Sequence, residues 1–214
     1  MKRTILLGKG ELAVTAAEWL TRDEAFSLDA IVPVIPEPTW TESLSDWAAA
    51  NSVATIDSGD YRDLSDKALA TGRYDLVISI FYDRIIGADF INQCERIINL
   101  HNAPLPKYRG VSPINWALKN GETMHGVTLH EITPGIDDGP IIGQVLFSIY
   151  PEIDEVEDVY HRALHYGKVL FESTMPLLDS ITPVPQDESV ATYYGRADDA
   201  LLGDRQRFSR RAVS

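Results

Sequence analysis

Short apolar runs rich in β-branched residues alternate with segments of helical spacing through roughly the first half of the chain, and this alternation limits the possible folds. The strand-like runs are 4–7, 28–35, 53–56, 75–80 and 97–100, and the helical segments are 11–20, 41–50, 60–70 and 85–93. Strands separated by helices pair in parallel, because each crossover returns the chain to the same edge of the sheet. The pattern predicts an α/β, Rossmann-like fold with a mostly parallel twisted sheet and helices on both faces.

The rest of the chain predicts fewer and longer elements. The segment 112–120 carries the start and stop signals of a helix, with proline at its first position and glycine after its end. Two β-rich segments, 127–132 and 141–149, are joined by a loop of Pro, Gly and Asp. A last helix is expected over 154–178, with Asp154 and Glu157 as its capping box.

Composition narrows the classes of function. The chain has 214 residues, a formal net charge of −13 and a pI of about 4.7, so it repels phosphate backbones and no nucleic-acid partner is expected. The segment from Gly195 onward instead carries five arginines against three aspartates, which indicates a frayed terminus or, alternatively, a local anion or partner contact. The single cysteine, Cys94, is expected in a helix as a small apolar filler, and it excludes an internal disulfide and a cysteine-rich zinc site.

The sequence predicts neither a signal peptide nor a membrane-spanning helix. The apolar run within the first ten residues is too short for a signal peptide, and no stretch approaches the ~20 apolar residues of a membrane span. We therefore expect a cytoplasmic protein with no membrane partner.

Several common functional motifs are incomplete. Gly8-x-Gly10 follows the first strand as in a dinucleotide loop, but Ala13 replaces the third glycine and no acidic residue follows in a clear position, so a tight turn explains it better. His161 and His165 have the spacing of two metal ligands on a helix, yet no HExxH motif accompanies them, and no metal is expected. A GxSxG elbow and a Walker-type loop are both absent from the sequence, which removes the usual hydrolase and NTPase classes.

Polar residues that follow two later strands are better candidates. Asn99 and His101 are two positions apart in an extended segment, so their side chains point to the same side. An amide can donate to an oxygen that gains negative charge, and an imidazole can move protons near neutral pH. Asn and His are also common turn formers, and the loop 133–139 can be a plain hairpin connection. These residues alone leave both interpretations open.

Taken in order, these segments resemble the folate-dependent formyltransferase family. The resemblance rests on Asn99-Leu-His101, Pro104–Gly110 with Pro113, Asn120-Gly-Glu122, Gly126-Val-Thr128 and Ile136-Asp-Asp-Gly139. The 38 residues from Asn99 to Asp137 match the family pattern, and the similarity is strongest over 75–178. It implies a formyltransferase catalytic domain over 1–180 and a short C-terminal extension over 181–214 that can serve as a partial dimerisation element.

The resemblance also implies the site and its co-substrate. The catalytic trio falls on Asn99, His101 and Asp137: the first two would stabilise the oxyanion formed when an amine attacks the formyl carbon, and Asp137 would orient His101 and relay a proton. The formyl donor would be 10-formyltetrahydrofolate. Its pterin ring would contact Arg84, Ile85, Ile86, Val111, Thr133, Pro134, Gly135 and Ile136.

Within the family, the segments 81–86 and 112–122 are most similar to nucleotide-sugar N-formyltransferases. A dTDP- or UDP-linked amino sugar is therefore the expected acceptor, bound by Lys9, Tyr108, Arg109 and Tyr193, in a homodimer that serves polysaccharide biosynthesis. The chain leaves no room for the further C-terminal domain of methionyl-tRNA formyltransferases. It also lacks the Gly-Ser-Asn-type loop of glycinamide ribonucleotide transformylases.

Other acceptors and one non-enzymatic function stay open. Formyltransferases of similar size act on hydroxyornithine or amino acids in siderophore and peptide biosynthesis. Glycinamide ribonucleotide and methionyl-tRNA are less favoured acceptors for the reasons above. A protein that only binds folate or a nucleotide is the non-enzymatic alternative, and the complete trio of Asn99, His101 and Asp137 argues against it.

Overall fold

The computed structural model of the chain describes residues 1–64 and 74–207. Its strands are β1 (Lys2–Gly8), β2 (Phe26–Pro33), β3 (Ala54–Thr55), β4 (Tyr74–Ile80), β5 (Cys94–His101), β6 (Arg109–Gly110), β7 (Met124–Glu131), β8 (Ile141–Ser148) and β9 (Tyr193–Tyr194). Its helices are α1 (Gly10–Arg22), α2 (Leu44–Ala50), α3 (Ala88–Ile91), α4 (Pro113–Lys119), α5 (Val156–Thr174) and α6 (Asp204–Arg207).

Seven strands form one sheet in the order β3-β2-β1-β4-β5-β7-β8. The pairs formed by the first five of these strands are parallel, and β7 and β8 are antiparallel to each other. The predicted α/β fold with a mostly parallel sheet is therefore confirmed. By its internal contacts the chain divides into two compact units, one with residues 1–100 and 131–134, the other with 101–130 and the residues from 135 onward.

The core of the first unit is formed by strands that are apolar along most of their length. Ile5, Val32, Val77 and Ile97 from four neighbouring strands pack in one buried cluster. Strands covered on both faces bury every side chain, which explains why these runs show no polar alternation. In the pairing of β4 with β5, Ser79 lies opposite Asn99, close to the carboxyl ends of both strands. Such ends are where parallel sheets place their functional loops.

The second unit joins the β7–β8 hairpin to α4, α5 and a small two-stranded sheet. In that sheet β6 pairs in parallel with β9, so Tyr193-Tyr194, expected to begin a dimerisation element, pairs here within its own chain. Tyr194 stacks on Trp116 and on Tyr108, with ring centroids 4.2 Å and 5.8 Å apart. Trp116 is buried, as a core residue should be.

Two helix predictions near the middle of the chain were wrong. Cys94 lies in β5 instead of a helix, and the helix expected over 85–93 shrinks to α3. Tyr61 contacts the backbone of this segment: its hydroxyl donates to the carbonyl of Ile85, which a helix starting at 85 would use, and accepts from the N–H of Gly87, just before α3 begins. Of the helix predicted over 60–70, residues 61–63 form a 3₁₀ turn and 65–73 lie outside the described residues.

The cap of the last long helix is shifted by one residue from the prediction. The capping box of α5 is formed by Glu155 and Asp158, not by Asp154 and Glu157. Asp154 has other partners, because its carboxylate accepts from the N–H of Tyr150 and pairs with Arg162. The helix ends at Thr174, four residues earlier than predicted, and a 3₁₀ turn at Met175–Leu177 that contains Pro176 follows it. Within the described residues no helix is long and apolar enough to cross a membrane.

His125, on β7, is a fully buried imidazole of the second unit. Its Nε2 lies 3.0 Å from the carbonyl oxygen of Asn102, and the rings of Tyr108 and Phe147 face it edge-on. Burial lowers the pKa of His125 to about 4, and the hydrogen bond to Asn102 offsets only part of that effect. The folded protein therefore keeps this imidazole neutral.

Because His125 is buried and neutral, we expect the protein to lose stability as the pH falls. The unfolded chain protonates His125 near its ordinary pKa of about 6.5, so it binds more protons than the folded state down to pH 4. The contribution of the neutral His125 to the free energy of unfolding is complete above pH 6.5. It falls by about 3 kcal/mol as the pH drops to 4. Denaturant unfolding across this range should show the loss in the wild type and in His161→Gln, an exposed control, but not in His125→Gln. Equal pH slopes in His125→Gln and the wild type would contradict the assignment.

Candidate active site

Asp137 lies between two histidine side chains. Its Oδ2 is 3.7 Å from Nδ1 of His101, and its Oδ1 is 3.6 Å from Nε2 of His130. The two imidazole rings are nearly perpendicular, with centroids 6.3 Å apart. None of the three side chains is more than 15% exposed. The structure thus brings together two members of the predicted trio, and it adds His130, which the sequence interpretation had left without a role.

A main-chain carbonyl fixes the orientation of His101. Its Nε2 lies 2.9 Å from the carbonyl oxygen of Tyr108. A carbonyl only accepts, so Nε2 carries a hydrogen in every protonation state of the bonded ring. In the neutral ring Nδ1 therefore has the lone pair, and it faces Asp137 at a distance longer than a hydrogen bond. Nδ1 is the nitrogen that can take up or give a proton while the ring stays anchored.

The charge of Asp137 is maintained against burial. Burial by itself would raise the pKa of this carboxyl, but the His101 imidazole, the hydrogen bond with His130 and the N–H of Gly110 outweigh it and hold the pKa well below its usual range. Asp137 is consequently a carboxylate throughout the physiological pH range. This carboxylate lies beside Nδ1 of His101, at 3.7 Å.

The backbone of Asp137 adopts an uncommon conformation that aims its side chain. Its φ is +51°, in the left-handed region that asparagine and aspartate tolerate better than most residues. The N–H of Gly110 donates to Oδ2 at 2.9 Å. The side chain of Gln186 donates to the main-chain carbonyl at 2.8 Å. Both the carboxylate and the peptide of Asp137 are therefore held from outside its own loop.

A second network orders the loop that leads from His101 to Tyr108. The hydroxyl of Thr128 donates to the carbonyl of Ala103 at 2.7 Å and accepts from the N–H of Leu105 at 3.2 Å. Gln144 donates to the carbonyl of Leu105 and to the same hydroxyl, both at 2.8 Å. Strands β7 and β8 thus fix the loop whose end supplies the carbonyl that holds His101.

Asn99, the third predicted catalytic residue, lies two positions before His101 on the same strand. It is half-buried. Its place on the same side as His101 follows from strand alternation alone, and its catalytic role stays a prediction.

The residues expected to contact the pterin ring fall into separate stretches. In the first unit, Arg84 pairs with Asp60 at 2.9 Å, Ile85 is 77% exposed and Ile86 is buried. Elsewhere along the chain Thr133 is half-buried, while Pro134, Gly135 and Ile136 are exposed. The N–H of Val111 donates to the carbonyl of Tyr194 at 2.9 Å. The role in folate binding stays a prediction for all of these residues.

The contacts of Tyr108 and Arg109, predicted to bind substrate, are internal. The buried Tyr108 donates its hydroxyl to Glu122 at 2.8 Å. The buried guanidinium of Arg109 donates to Gln186 and Glu188. Of the other two predicted substrate residues, Lys9 donates its N–H to the carbonyl of Ile80 in the first unit, and Tyr193 is 55% exposed. The side chains of Tyr108 and Arg109 are thus engaged within the second unit, and the substrate-binding role of all four residues stays a prediction.

Two residues of the site escaped the sequence interpretation. His130 had a usable signal, because it shares the alternation of β7 with Thr128 and precedes Asp137 by seven positions. Gln186 had no local signal, since it follows Asp137 by 49 positions in a segment of Pro, Asp, Glu and Ser. His161, singled out for its spacing, is exposed on α5 and 3.9 Å from Glu157. Among residues 1–64 and 74–207, no group of three or more His, Cys, Asp or Glu side chains is arranged to hold a metal ion.

Comparison with known proteins gives one family and a consistent set of structures. Residues 41–175, more than half of the chain, match the sequence model of the family described as formyl transferase. The fold is similar to an N-formyltransferase from Helicobacter canadensis solved with folinic acid and dTDP-3-aminofucose, with a TM-score of 0.80 and 28% identity over 92% of this chain and 72% of that chain.

Two further solved structures are similar. The first is WlaRD, a sugar 3N-formyl transferase solved with dTDP and 5-N-formyl-THF, with a TM-score of 0.79, 27% identity and coverage of 92% of this chain and 70% of that chain. The second is PseJ from Anoxybacillus kamchatkensis, solved with UDP-4,6-dideoxy-4-formamido-L-AltNAc and tetrahydrofolate, with a TM-score of 0.59, 26% identity and coverage of 93% and 88%. His101, His130 and Asp137 all lie within the matched family region.

Gly110, whose N–H donates to Asp137, provides a test of the contact between β6 and β9. Its φ is +93°, and a Cβ at this position would lie 2.1 Å from the carbonyl oxygen of Tyr194. Gly121 also has a positive φ, of +70°, but a Cβ there would meet nothing within 4 Å. We expect Gly121→Ala to cost about 1 kcal/mol of unfolding free energy from backbone strain alone. Gly110→Ala should cost at least about 2 kcal/mol more, because the clash separates β6 from β9. Denaturant unfolding measures both, and equal losses would contradict the role of the β6–β9 contact.

Proposed function

This chain belongs to the formyl transferase family, and we propose that it transfers the formyl group of 10-formyltetrahydrofolate to the amino group of a nucleotide-linked amino sugar. The observation that carries the proposal is the buried carboxylate of Asp137, kept ionised between His101 and His130 inside the matched family region. This arrangement suits proton transfer beside a formyl oxygen that gains negative charge when the amine attacks. The enzyme is thus an N-formyltransferase.

The choice of donor and acceptor rests on the similar structures. Each of the three carries a folate, namely folinic acid, 5-N-formyl-THF or tetrahydrofolate, which supports a formyl-tetrahydrofolate as co-substrate here. Two of them carry a nucleotide-linked sugar, and the third carries dTDP. We therefore favour a dTDP- or UDP-linked amino-dideoxyhexose. Residues 84–86, Val111 and 133–136 are kept as the proposed folate contacts, through their main-chain groups.

The proposed reaction is an acyl transfer. The neutral amine attacks the formyl carbon, a new C–N bond forms, and the bond from that carbon to the folate nitrogen breaks. The proton lost by the amine ends on the departing folate nitrogen. In the tetrahedral intermediate the former carbonyl oxygen carries negative charge, and a donor placed beside it lowers the barrier.

The structure supports a distinct role for each polar residue. In this proposal Asn99 and the protonated Nδ1 of His101 donate to the oxyanion, because residues two positions apart on an extended strand are expected to face the same side. Asp137 stabilises the imidazolium that this requires, while the carbonyl of Tyr108 keeps the ring in place. His130 stabilises the negative charge of Asp137 from the other side. Orientation of His101, assigned to Asp137 by the resemblance, therefore comes mainly from Tyr108.

Several parts of the assignment are kept as proposals. They include the domain division at residue 180, a homodimer, and a place in polysaccharide biosynthesis. Hydroxyornithine or an amino acid is the competing acceptor class, and no contact among the described residues favours it over a nucleotide sugar.

The test of the function is a panel of acceptors supplied with 10-formyltetrahydrofolate and analysed by mass spectrometry. The panel holds 3-amino and 4-amino sugars linked to dTDP, UDP and GDP, together with glycinamide ribonucleotide and hydroxyornithine. We expect a mass gain of one formyl group on a nucleotide sugar and on nothing else. Formylation of hydroxyornithine or glycinamide ribonucleotide alone would overturn the proposed acceptor and keep the reaction.

Removing the charge of Asp137 tests the mechanism. Asp137→Asn preserves the size of the side chain and an oxygen for the N–H of Gly110 but leaves an imidazolium at His101 unsupported. We expect kcat to fall by about 10²–10³-fold, with a small change in KM for the folate. Asp179→Asn makes the same chemical change at an exposed position and should keep wild-type kinetics. An Asp137→Asn enzyme with more than half of the wild-type kcat would rule out the proposed role.

A further inference from the structure

The amide of Gln186 joins the loop of Asp137 to a buried arginine. Its Nε2 donates to the carbonyl oxygens of Asp137 and Gly139, at 2.8 Å and 2.7 Å. Its Oε1 accepts from Nε and Nη2 of Arg109, at 3.1 Å and 2.8 Å. Both donor hydrogens and both lone pairs of the amide are therefore used.

Chemistry leaves only one orientation for this amide. Arg109 offers donors alone and the two peptide carbonyls offer acceptors alone, so the oxygen of Gln186 must face the guanidinium and its nitrogen must face the loop. Glu188 accepts two hydrogen bonds from the far side of the guanidinium, at 3.0 Å and 2.7 Å. Arg109 is thereby fixed between Gln186 and Glu188, and it fixes the amide in turn.

Asp137 needs such support because its backbone is in the left-handed region. A residue other than glycine in that region costs of order 1–3 kcal/mol and stays there only when its surroundings hold it. One hydrogen bond from Gln186 holds the peptide that joins Asp137 to Asp138, immediately after the Cα that carries the Asp137 side chain, and the other holds the carbonyl of Gly139 two residues later. A rotation at this Cα would change both carboxylate–imidazole distances.

The same C-terminal stretch also supports the partner of His101. The hydroxyl of Thr192 accepts from the N–H of Tyr108 at 2.8 Å, and the carbonyl of Thr192 accepts from the N–H of Arg109 at 2.9 Å. Tyr108 is the residue whose carbonyl anchors Nε2 of His101. Residues 186–194 therefore hold the backbone on both sides of the His101–Asp137 pair.

We propose that Gln186 is a positioning residue for formyl transfer, which acts by setting the backbone of Asp137 so that its carboxylate meets His101. The inference rests on the proposed role of Asp137. It makes a residue beyond the matched family region 41–175 part of the working site. A displacement of the reacting groups by about 1 Å can cost 10²-fold in rate, so the effect belongs in kcat and not in stability alone.

Gln186→Glu separates the two halves of this contact. Glutamate has nearly the same shape and still accepts from Arg109, but it offers the carbonyls of Asp137 and Gly139 a negative charge in place of donors. We expect kcat to fall about 10–100-fold, with KM for the folate and the sugar within about threefold of wild type. Gln186→Leu removes both halves and should lose at least as much kcat. Gln93→Glu, the same change at an exposed position, is the matched control and should behave as wild type.

Hydrogen exchange of the backbone amide of Gly110 reports on the position of Asp137 and requires no acceptor substrate. The N–H of Gly110 donates to Oδ2 of Asp137, so its hydrogen exchange should quicken at least tenfold in Gln186→Glu and stay unchanged in Gln93→Glu. This readout is informative even when no sugar of the panel is formylated, so a wrong acceptor does not conceal a wrong positioning role. The proposal is overturned when folded Gln186→Glu and Gln186→Leu both keep kcat within twofold of wild type. It is equally overturned when the exchange of Gly110 stays at the wild-type rate in both variants.

Discussion

The carboxylate of Asp137 is almost fully withdrawn from water, and keeping it charged is the constraint on which the rest of the site depends. Burial alone would favour the neutral acid. The compensation comes from His101, His130 and the N–H of Gly110, each from a different strand. Since electrostatic support falls with distance, these strands and the loop of Asp137 must all be fixed relative to one another. The hydrogen bonds at Thr128, Gln144 and Gln186 serve this requirement, whatever their separate contributions to stability.

The two nitrogens of His101 make contacts of different length. The shorter contact, at Nε2, anchors the ring, and the longer one, at Nδ1, leaves that nitrogen for the proposed chemistry. The bond from Nε2 to the carbonyl of Tyr108, at 2.9 Å, is short enough to define the ring plane and tautomer. Nδ1 lies 3.7 Å from the carboxylate of Asp137, which is longer than a hydrogen bond. A nitrogen held tightly on both sides would have no freedom to donate to a substrate oxygen. The arrangement instead leaves Nδ1 close to the negative charge of Asp137 without a hydrogen bond to it.

The sequence was informative where structure is decided locally. The apolar runs at 75–80 and 97–100 became β4 and β5, and the spacing of Asn99 and His101 predicted their common side, because strand alternation needs no distant partner. Predictions were wrong where a distant group intervened. Tyr61 contacts the backbone of the segment 85–93, where a helix was expected, and Arg162 took Asp154 from the expected cap. The importance of Asp137 came from the resemblance, and that of Gln186 from no sequence pattern, since its partners are main-chain carbonyls that any sequence possesses.

Residues 186–194 are needed for the order of strand β6, because this strand has little stability by itself. Strand β6 has only two residues, and in the described part of the chain β9 is its one ladder partner. A ladder this short has no stability of its own. Its order therefore comes from the stacking of Tyr194 on Trp116 and Tyr108 and from the pairing of Arg109 with Glu188. Because β6 carries both the N–H that reaches Asp137 and the guanidinium that orients Gln186, packing of a few aromatic rings on α4 is coupled to the charge of the catalytic carboxylate.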